Sequence, residues 1–348
     1  MKVFLSKIAK LSKRKKTLKK FKRFLINGKY IGDLRAKVFY LKEASSSERF
    51  CIDYLKRSFP KGYLKKQFFK CDVRTKDKEF EGSIIVFGNT SMGEKPASVK
   101  IFNLESKEVV TIYQDEKKLI QDLSAYDYFV EKLPLVPVLS KDLQKGIIKE
   151  KLIFGKTISQ LDQEEYYHLF EDIINYYVQY FKSEKKLKKI LIVDLINESI
   201  EKQIDTSIGK KIFMRLKNIK NKQVILKTLH GDFTYSNLLL DNQGCYFIDF
   251  EHFADYSFYY DIFWLMQNEY VYNQNKTLLN LYFKGELDAL FRKLFDSVEE
   301  CFDENMRDVY YYVFLLEMYN KRVYNSSEKN IVFDYIKKIF SELKLEHD

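Results

Sequence analysis

The stretch Leu229–Glu251, reading LHGDFTYSNLLLDNQGCYFIDFE, constrains this chain more than any other. Two apolar runs, Leu238–Leu240 and Cys245–Phe250, flank the turn residues Asn242-Gln243-Gly244, which predicts a hairpin. Asp232 and Asn237 lie five residues apart on the loop before it, and Asp249 lies near its end. Each alone would ordinarily be a solvated turn residue or a strand-end carboxylate. Together they are less ordinary, because unpaired polar groups beside apolar strands are costly. Two carboxylates and one amide oxygen converging at a hairpin base suit Mg²⁺, which is usually held by one or two carboxylates with phosphate and water completing its octahedron.

Strand signals precede this stretch. Ser83–Phe87, Ala97–Phe102 and Val109–Tyr113 are β-branched and aromatic runs that read as a meander. Asp115–Lys132 follows with helical periodicity at Leu119, Leu123, Tyr126 and Val130, and Pro134 and Pro137 end it. Val136–Leu139 and Gly146–Phe154 complete a sheet-plus-helix unit near Gly155, while 160–226 and 257–345 read as mainly helical. The 12 Gly and 4 Pro in 348 residues agree with long regular elements.

The net charge of +11 suggests an evenly basic nucleic-acid binder until it is located along the chain. Residues 1–40 hold 14 Lys or Arg against one acid, Asp33, so the remaining residues carry −2. Residues 1–27 read as a helix with Phe4, Ile8, Leu11, Leu18, Phe21 and Leu25 along one face and cations opposite. Three occupants suit such a helix: an anionic membrane surface, the body of the protein itself, or nucleic-acid phosphate. The membrane reading ranks first and nucleic acid third. Four widely spaced cysteines, Cys51, Cys71, Cys245 and Cys301, suggest neither a zinc site nor a disulfide framework. No signal-peptide core or transmembrane run is seen, so the expected location is cytoplasmic, peripheral to the membrane's inner face if the helix binds it.

HGD at 230–232, Asn237 and DFE at 249–251 resemble the motifs of the aminoglycoside phosphotransferase and choline kinase group, relatives of protein kinases. Asp261, in YYDIFW, is similar to that group's further Asp bracing the catalytic loop. The resemblance implies an α+β, two-lobed protein-kinase-like fold. It comprises a basic, mostly helical extension at 1–80, a nucleotide-binding N-lobe of meander plus helix at 81–155, and a mainly helical, acceptor-binding C-lobe at 156–348.

What the resemblance implies for function is transfer of the γ-phosphate of ATP to a hydroxyl of a small molecule or glycan, with a membrane-associated cell-envelope saccharide the expected acceptor if the basic helix binds a membrane. Asp232 would be the base, and Asn237 and Asp249 the Mg²⁺ ligands. His230 would act as a strut, Asp261 as a brace, and Glu251 as a second-metal ligand or a strand cap. The segment Gly88–Gly93 would cover phosphates or be an ordinary hairpin turn. The family's third strand carries a phosphate-gripping Lys, and Val109–Tyr113 has none. Lys100 is the substitute, with Glu116 its helix partner and Glu150, Lys151 and Leu152 beside the adenine of the nucleotide. Competing readings are an antibiotic kinase, with Glu269, Asp288 and Glu317 forming an acidic pocket, a non-catalytic nucleotide-binding scaffold, and an RNA-binding protein.

Overall fold

β-Branched and aromatic residues in the first half of the chain build one antiparallel sheet. Its strands are β1 (Gly28–Gly32), β2 (Val38–Leu41), β3 (Lys70–Val73), β4 (Ile84–Phe87), β5 (Ser98–Asn103), β6 (Glu108–Tyr113), β7 (Val138–Asp142) and β8 (Ile147–Lys151). They lie in the order β3-β1-β2-β4-β5-β6-β8-β7. This computed structural model describes residues 2–323 except 36, 56, 60–68, 89–95, 154, 157, 186–187 and 203–205. The chain divides into two compact units: 1–124 with 135–157 and 239–246, and 125–134 with 158–238 and 247–348.

The β4-β5-β6 meander falls where sequence predicts it. The helix after it runs over Glu116–Phe129, shorter than the expected Asp115–Lys132. A different outcome meets the stretch 1–80, expected to be mostly helical. It contains α1 (Lys2–Lys20), α2 (Ser45–Asp53) and three strands continuous with the meander, β2 pairing with β4 from Val38↔Val86 to Tyr40↔Ile84. Strands of four or five residues interrupted by Gly and basic pairs carry too little alternation to be read from periodicity.

α1 turns its apolar face to the sheet, with one cation, Arg14, buried on that side over the Phe87 ring at 5.0 Å. Leu11 (3% exposed), Leu18 (0%), Phe21 (8%) and Leu25 (0%) enter the same core as Val99, Ile101, Val110 and Ile112 from one face of the sheet. Fully burying such a side chain stabilises by about 1.5–3 kcal/mol, so these contacts fix the helix on its own unit. That is the second of the three occupants considered for the stripe, and these side chains are not available to a bilayer. The Phe4 and Ile8 side chains lie outside the described ones, while Lys13, Lys16, Lys19 and Lys20 are exposed.

In the second unit, β9 (Lys188–Leu191), β10 (Gln223–Leu229) and β13 (Ala254–Ser257) form a sheet in the order β13-β10-β9. The hairpin β11 (Leu238–Asp241) and β12 (Gly244–Phe247) comes in sequence between β10 and β13. With the earlier helix 116–129 as α3, the helices are α4 (Gln163–Ser183), α5 (Ile192–Glu201), α6 (Thr206–Leu216), α7 (Tyr260–Asn273), α8 (Thr277–Phe283), α9 (Asp288–Asp296) and α10 (Arg307–Met318). α4 starts at a capping box, Asp162 accepting from the Glu165 N–H while the Glu165 side chain returns to the Asp162 N–H. The chain's many Tyr and Phe residues find their use here. Phe263 alone meets the rings of Tyr282, Phe291, Tyr311 and Phe314 at 5.1–5.6 Å, and offset or edge-on pairs of this kind add to area burial. No described helix is long and apolar enough to cross a membrane.

Candidate active site

β10 delivers the chain to His230, and β13 returns beside it, with Leu229 opposite Ala254 and Thr228 opposite Asp255. Everything between them therefore starts and ends at one point of the second unit's sheet.

His230 is fully buried, with its ring 4.4 Å from that of Phe250. Its Nδ1 accepts from the Asp232 N–H at 3.3 Å, and its Nε2 lies 2.8 Å from the Ile248 carbonyl. An acceptor at Nδ1 and a donor at Nε2 define the neutral imidazole with its proton on Nε2. A ring engaged at both nitrogens is a strut joining the loop to the segment that carries Asp249. The Asn237 side-chain amide donates to the Asp232 carbonyl at 2.8 Å, and the Ile248 N–H donates to the Asn237 carbonyl at 3.0 Å. Asp232, Asn237 and the residue before Asp249 are thus tied through backbone, which places the three polar residues in one neighbourhood.

Asp261, in the first turn of α7, is 1% exposed. It accepts from the His230 N–H at 2.8 Å, the Gly231 N–H at 2.9 Å and the Tyr177 hydroxyl at 2.6 Å. Two backbone donors of the HGD loop are satisfied by this one carboxylate, which matters because buried N–H groups must be paired. Burial raises the Asp261 carboxyl, the three donors hold it down, the charge of Asp232 adds to the rise, and the balance stands at about 6.

Two backbone conformations complete the loop. Gly231 has φ +77°, and a Cβ there would stand 2.3 Å from the His252 carbonyl oxygen. No other residue fits. Asp249 holds φ +67° with an exposed side chain. A left-handed non-Gly residue costs about 1–3 kcal/mol and persists where the surroundings impose it, often at functional sites.

The donor set fits a hard divalent cation. With the Asn237 nitrogen committed to Asp232, its Oδ1 has no hydrogen bond among the described residues, and it joins the Asp249 carboxylate as an oxygen donor. Among the described residues no three His, Cys, Asp or Glu side chains are grouped to hold a metal. Glu251 is exposed, 3.6 Å from His252 Nε2.

The first unit holds the other candidates on a sheet face. Lys100 on β5 stands opposite Thr111 on β6, and Thr111 opposite Ile148 on β8. Directly paired residues share a face, as do residues two apart, so Lys100, Thr111 and Glu150 project from the same side. Thr111 is 2% exposed, and its hydroxyl donates to Glu150 Oε2 at 3.4 Å. Leu152 is buried with Val109, Phe102 and Ile84. Lys100 is exposed, Glu116 is exposed at the start of α3, and no ion pair joins them among the described residues. Lys100 lies on the middle strand of the meander, and β6, the strand after it, presents Thr111 on that face. Of the expected phosphate-covering segment, 89–93 lies outside the described residues.

Sequence reasoning passes over Tyr177, Phe250 and Thr111. Tyr177 sits on α4 and carries no motif, and Phe250, the middle residue of DFE, stands between the two acids that draw attention there. Thr111 is the residue in VVTIY that breaks the apolar run, and that break was its signal.

The three acids considered for an acceptor pocket have structural partners. Glu317 is 1% exposed and accepts from the Ser257 N–H at 2.9 Å. Asp288 pairs with Arg307, and Glu269 accepts from the Tyr166 hydroxyl at 3.1 Å and the Asn273 amide at 2.7 Å.

Neither protein-family models nor curated proteins yield a match to this sequence. Solved structures do. The choline kinase LicA from Streptococcus pneumoniae is 14% identical with a TM-score of 0.44, over 75% of this chain and 92% of that one. A choline/ethanolamine kinase family protein from Mesorhizobium loti is 11% identical with a TM-score of 0.42, over 75% and 87%. The amicoumacin kinase hAmiN is 12% identical with a TM-score of 0.43, over 74% and 88%.

Proposed function

We propose that this chain transfers the γ-phosphoryl group of ATP to a hydroxyl of a small molecule. The observation that carries this reading is the bonding around Asp232. Its N–H is held by His230, its carbonyl by Asn237, and the loop behind it by Asp261. A carboxylate whose backbone is fixed on three sides is preorganised to orient an attacking hydroxyl, and orientation supplies much of the catalysis in phosphoryl transfer.

In this reading the acceptor oxygen bonds to the γ-phosphorus, the bond to the β–γ bridging oxygen breaks, and ADP departs. Asp232 takes the hydroxyl proton. Asn237 Oδ1 and the Asp249 carboxylate are the ligands for a divalent cation, with Mg²⁺ the natural occupant. When bound, such an ion neutralises charge on the phosphates at fixed geometry. Lys100, Thr111 and Glu150 form the polar surface that the first unit offers to a nucleotide, and Leu152 the apolar one. Since Glu269, Asp288 and Glu317 are already partnered, they lend no support to a polycationic acceptor.

A panel of hydroxyl acceptors incubated with Mg-ATP, with transferred γ-phosphate as readout, tests the proposal. The expected result is an acceptor phosphorylated by wild type and not by Asp232→Ala. A non-catalytic nucleotide-binding scaffold, which the lysine-free β6 favours, predicts ATP binding without transfer in both proteins. That outcome would overturn the reading.

A further inference from the structure

Tyr177 has no place in the motifs around Asp232, yet it touches Asp261 and residues beside Asp232 and before Asp249. It lies on α4, 1% exposed, and donates from its hydroxyl to Asp261 at 2.6 Å. Its ring meets Phe233, next to Asp232, edge-on at 5.8 Å, and Phe247, two residues before Asp249, at 6.0 Å. Phe233 and Phe247 in turn lie 4.7 Å apart. One side chain therefore joins the catalytic loop, the strand leading to the cation ligand, and the carboxylate bracing the loop.

We propose that Tyr177 is a positioning residue for phosphoryl transfer: its hydroxyl holds Asp261, and Asp261 holds the backbone of His230 and Gly231 that sets the direction of Asp232. The inference rests on the functional reading above for its kinetic consequence, but not for its structural one.

Asp261 can accept from all three donors only as a carboxylate, because a protonated acid gives one oxygen a hydrogen and turns an acceptor into a donor. The titratable groups facing it among the described residues are Tyr177 from α4 and His230 and Asp232 from the loop. His230 is neutral and bonded elsewhere through its ring, and Asp232 repels the charge. Tyr177 is thus the one side-chain donor among them that favours the ionised form. A hydrogen bond to the charged form favours it, so losing the hydroxyl moves the carboxyl upward, toward neutral pH. With the Tyr177 bond in place that group already stands at about 6, which leaves little margin.

Tyr177→Phe keeps the ring against Phe233 and Phe247 and removes the hydroxyl alone. Its kcat is expected to fall about tenfold at pH 6.5 and to return to within about twofold of wild type near pH 9, with KM for Mg-ATP unchanged. Asp261→Asn cannot ionise, and its loss of kcat should persist at both pH values. Damage to packing alone would give a pH-independent loss in both variants. A Tyr177→Phe profile superimposable on wild type, or a loss that high pH does not restore, overturns the inference.

Hydrogen exchange at the His230 and Gly231 amides decides the same point without catalysis. Their protection in Tyr177→Phe should be lower than wild type at pH 6.5 and converge with it as pH rises. A wild-type protein that phosphorylates nothing in the panel yet shows this pattern sinks the functional reading and leaves the positioning role standing. Unchanged protection at pH 6.5 in an active protein does the reverse.

Discussion

The HGD loop of the second unit and the β5-β6-β8 face of the first are built on opposite plans. In the loop, His230, Asn237 and Asp261 each hold a backbone group, so functional side chains are held by other side chains. On the sheet face, Lys100, Thr111 and Glu150 are placed by strand register, and one long hydroxyl–carboxylate contact is the bond recorded among them. The difference teaches where precision is concentrated. A group that must orient a reacting atom needs its backbone fixed to a fraction of an ångström, whereas a surface that grips a polyanion can work through charge at longer reach.

Substitutions in the two regions should therefore differ in size. Asp249→Asn retains a residue that tolerates the left-handed backbone but removes the charge. Phosphate transfer should fall by about a hundredfold or more and Mg-ATP affinity should weaken, with the melting temperature within about 2 °C of wild type. Unchanged Mg-ATP affinity, measured by calorimetry, would remove Asp249 from the cation site.

Gly231→Ala probes the loop's packing. The added Cβ meets the His252 carbonyl at 2.3 Å in a left-handed conformation, and a loss of about 2 kcal/mol or more in unfolding free energy is expected. Denaturant unfolding checks it, and wild-type stability would mean that the loop is free to shift. Smallest should be Lys100→Ala on the first unit's sheet: a rise of about three- to tenfold in KM for ATP with kcat within about twofold, since an exposed charge acts mainly through screened attraction. A kcat effect as large as that of Asp249→Asn would erase the contrast between the regions.

The same contrast explains what could be read from the residues. The loop was legible because its chemistry is local: Asp232, Asn237 and Asp249 fall within 18 residues, and Asn242-Gln243-Gly244 announces the turn. The strands of the meander declare themselves through uninterrupted β-branched runs. Tyr177 was not legible, because its bond to Asp261 joins α4 to α7 and neither residue's neighbours signal the other. β9 and the first four residues of β10 lie in the stretch 160–226 that reads as mainly helical, since QVILKTL is too short to separate a strand from a buried helical turn. In α1 the stripe was legible and its occupant was not. Periodicity reveals that a helix has an apolar face, and only the tertiary fold decides that Leu11, Leu18 and Phe21 cover a sheet.

Asp232 is expected to act on the acceptor hydroxyl from a loop whose backbone His230, Asn237 and Asp261 hold. The most direct measurement is to follow Mg-ATP affinity and γ-phosphate transfer together in wild type and Asp232→Ala. Transfer should drop by about 10²–10⁴-fold while the Kd for Mg-ATP stays within about threefold. Undiminished transfer by Asp232→Ala would contradict the account.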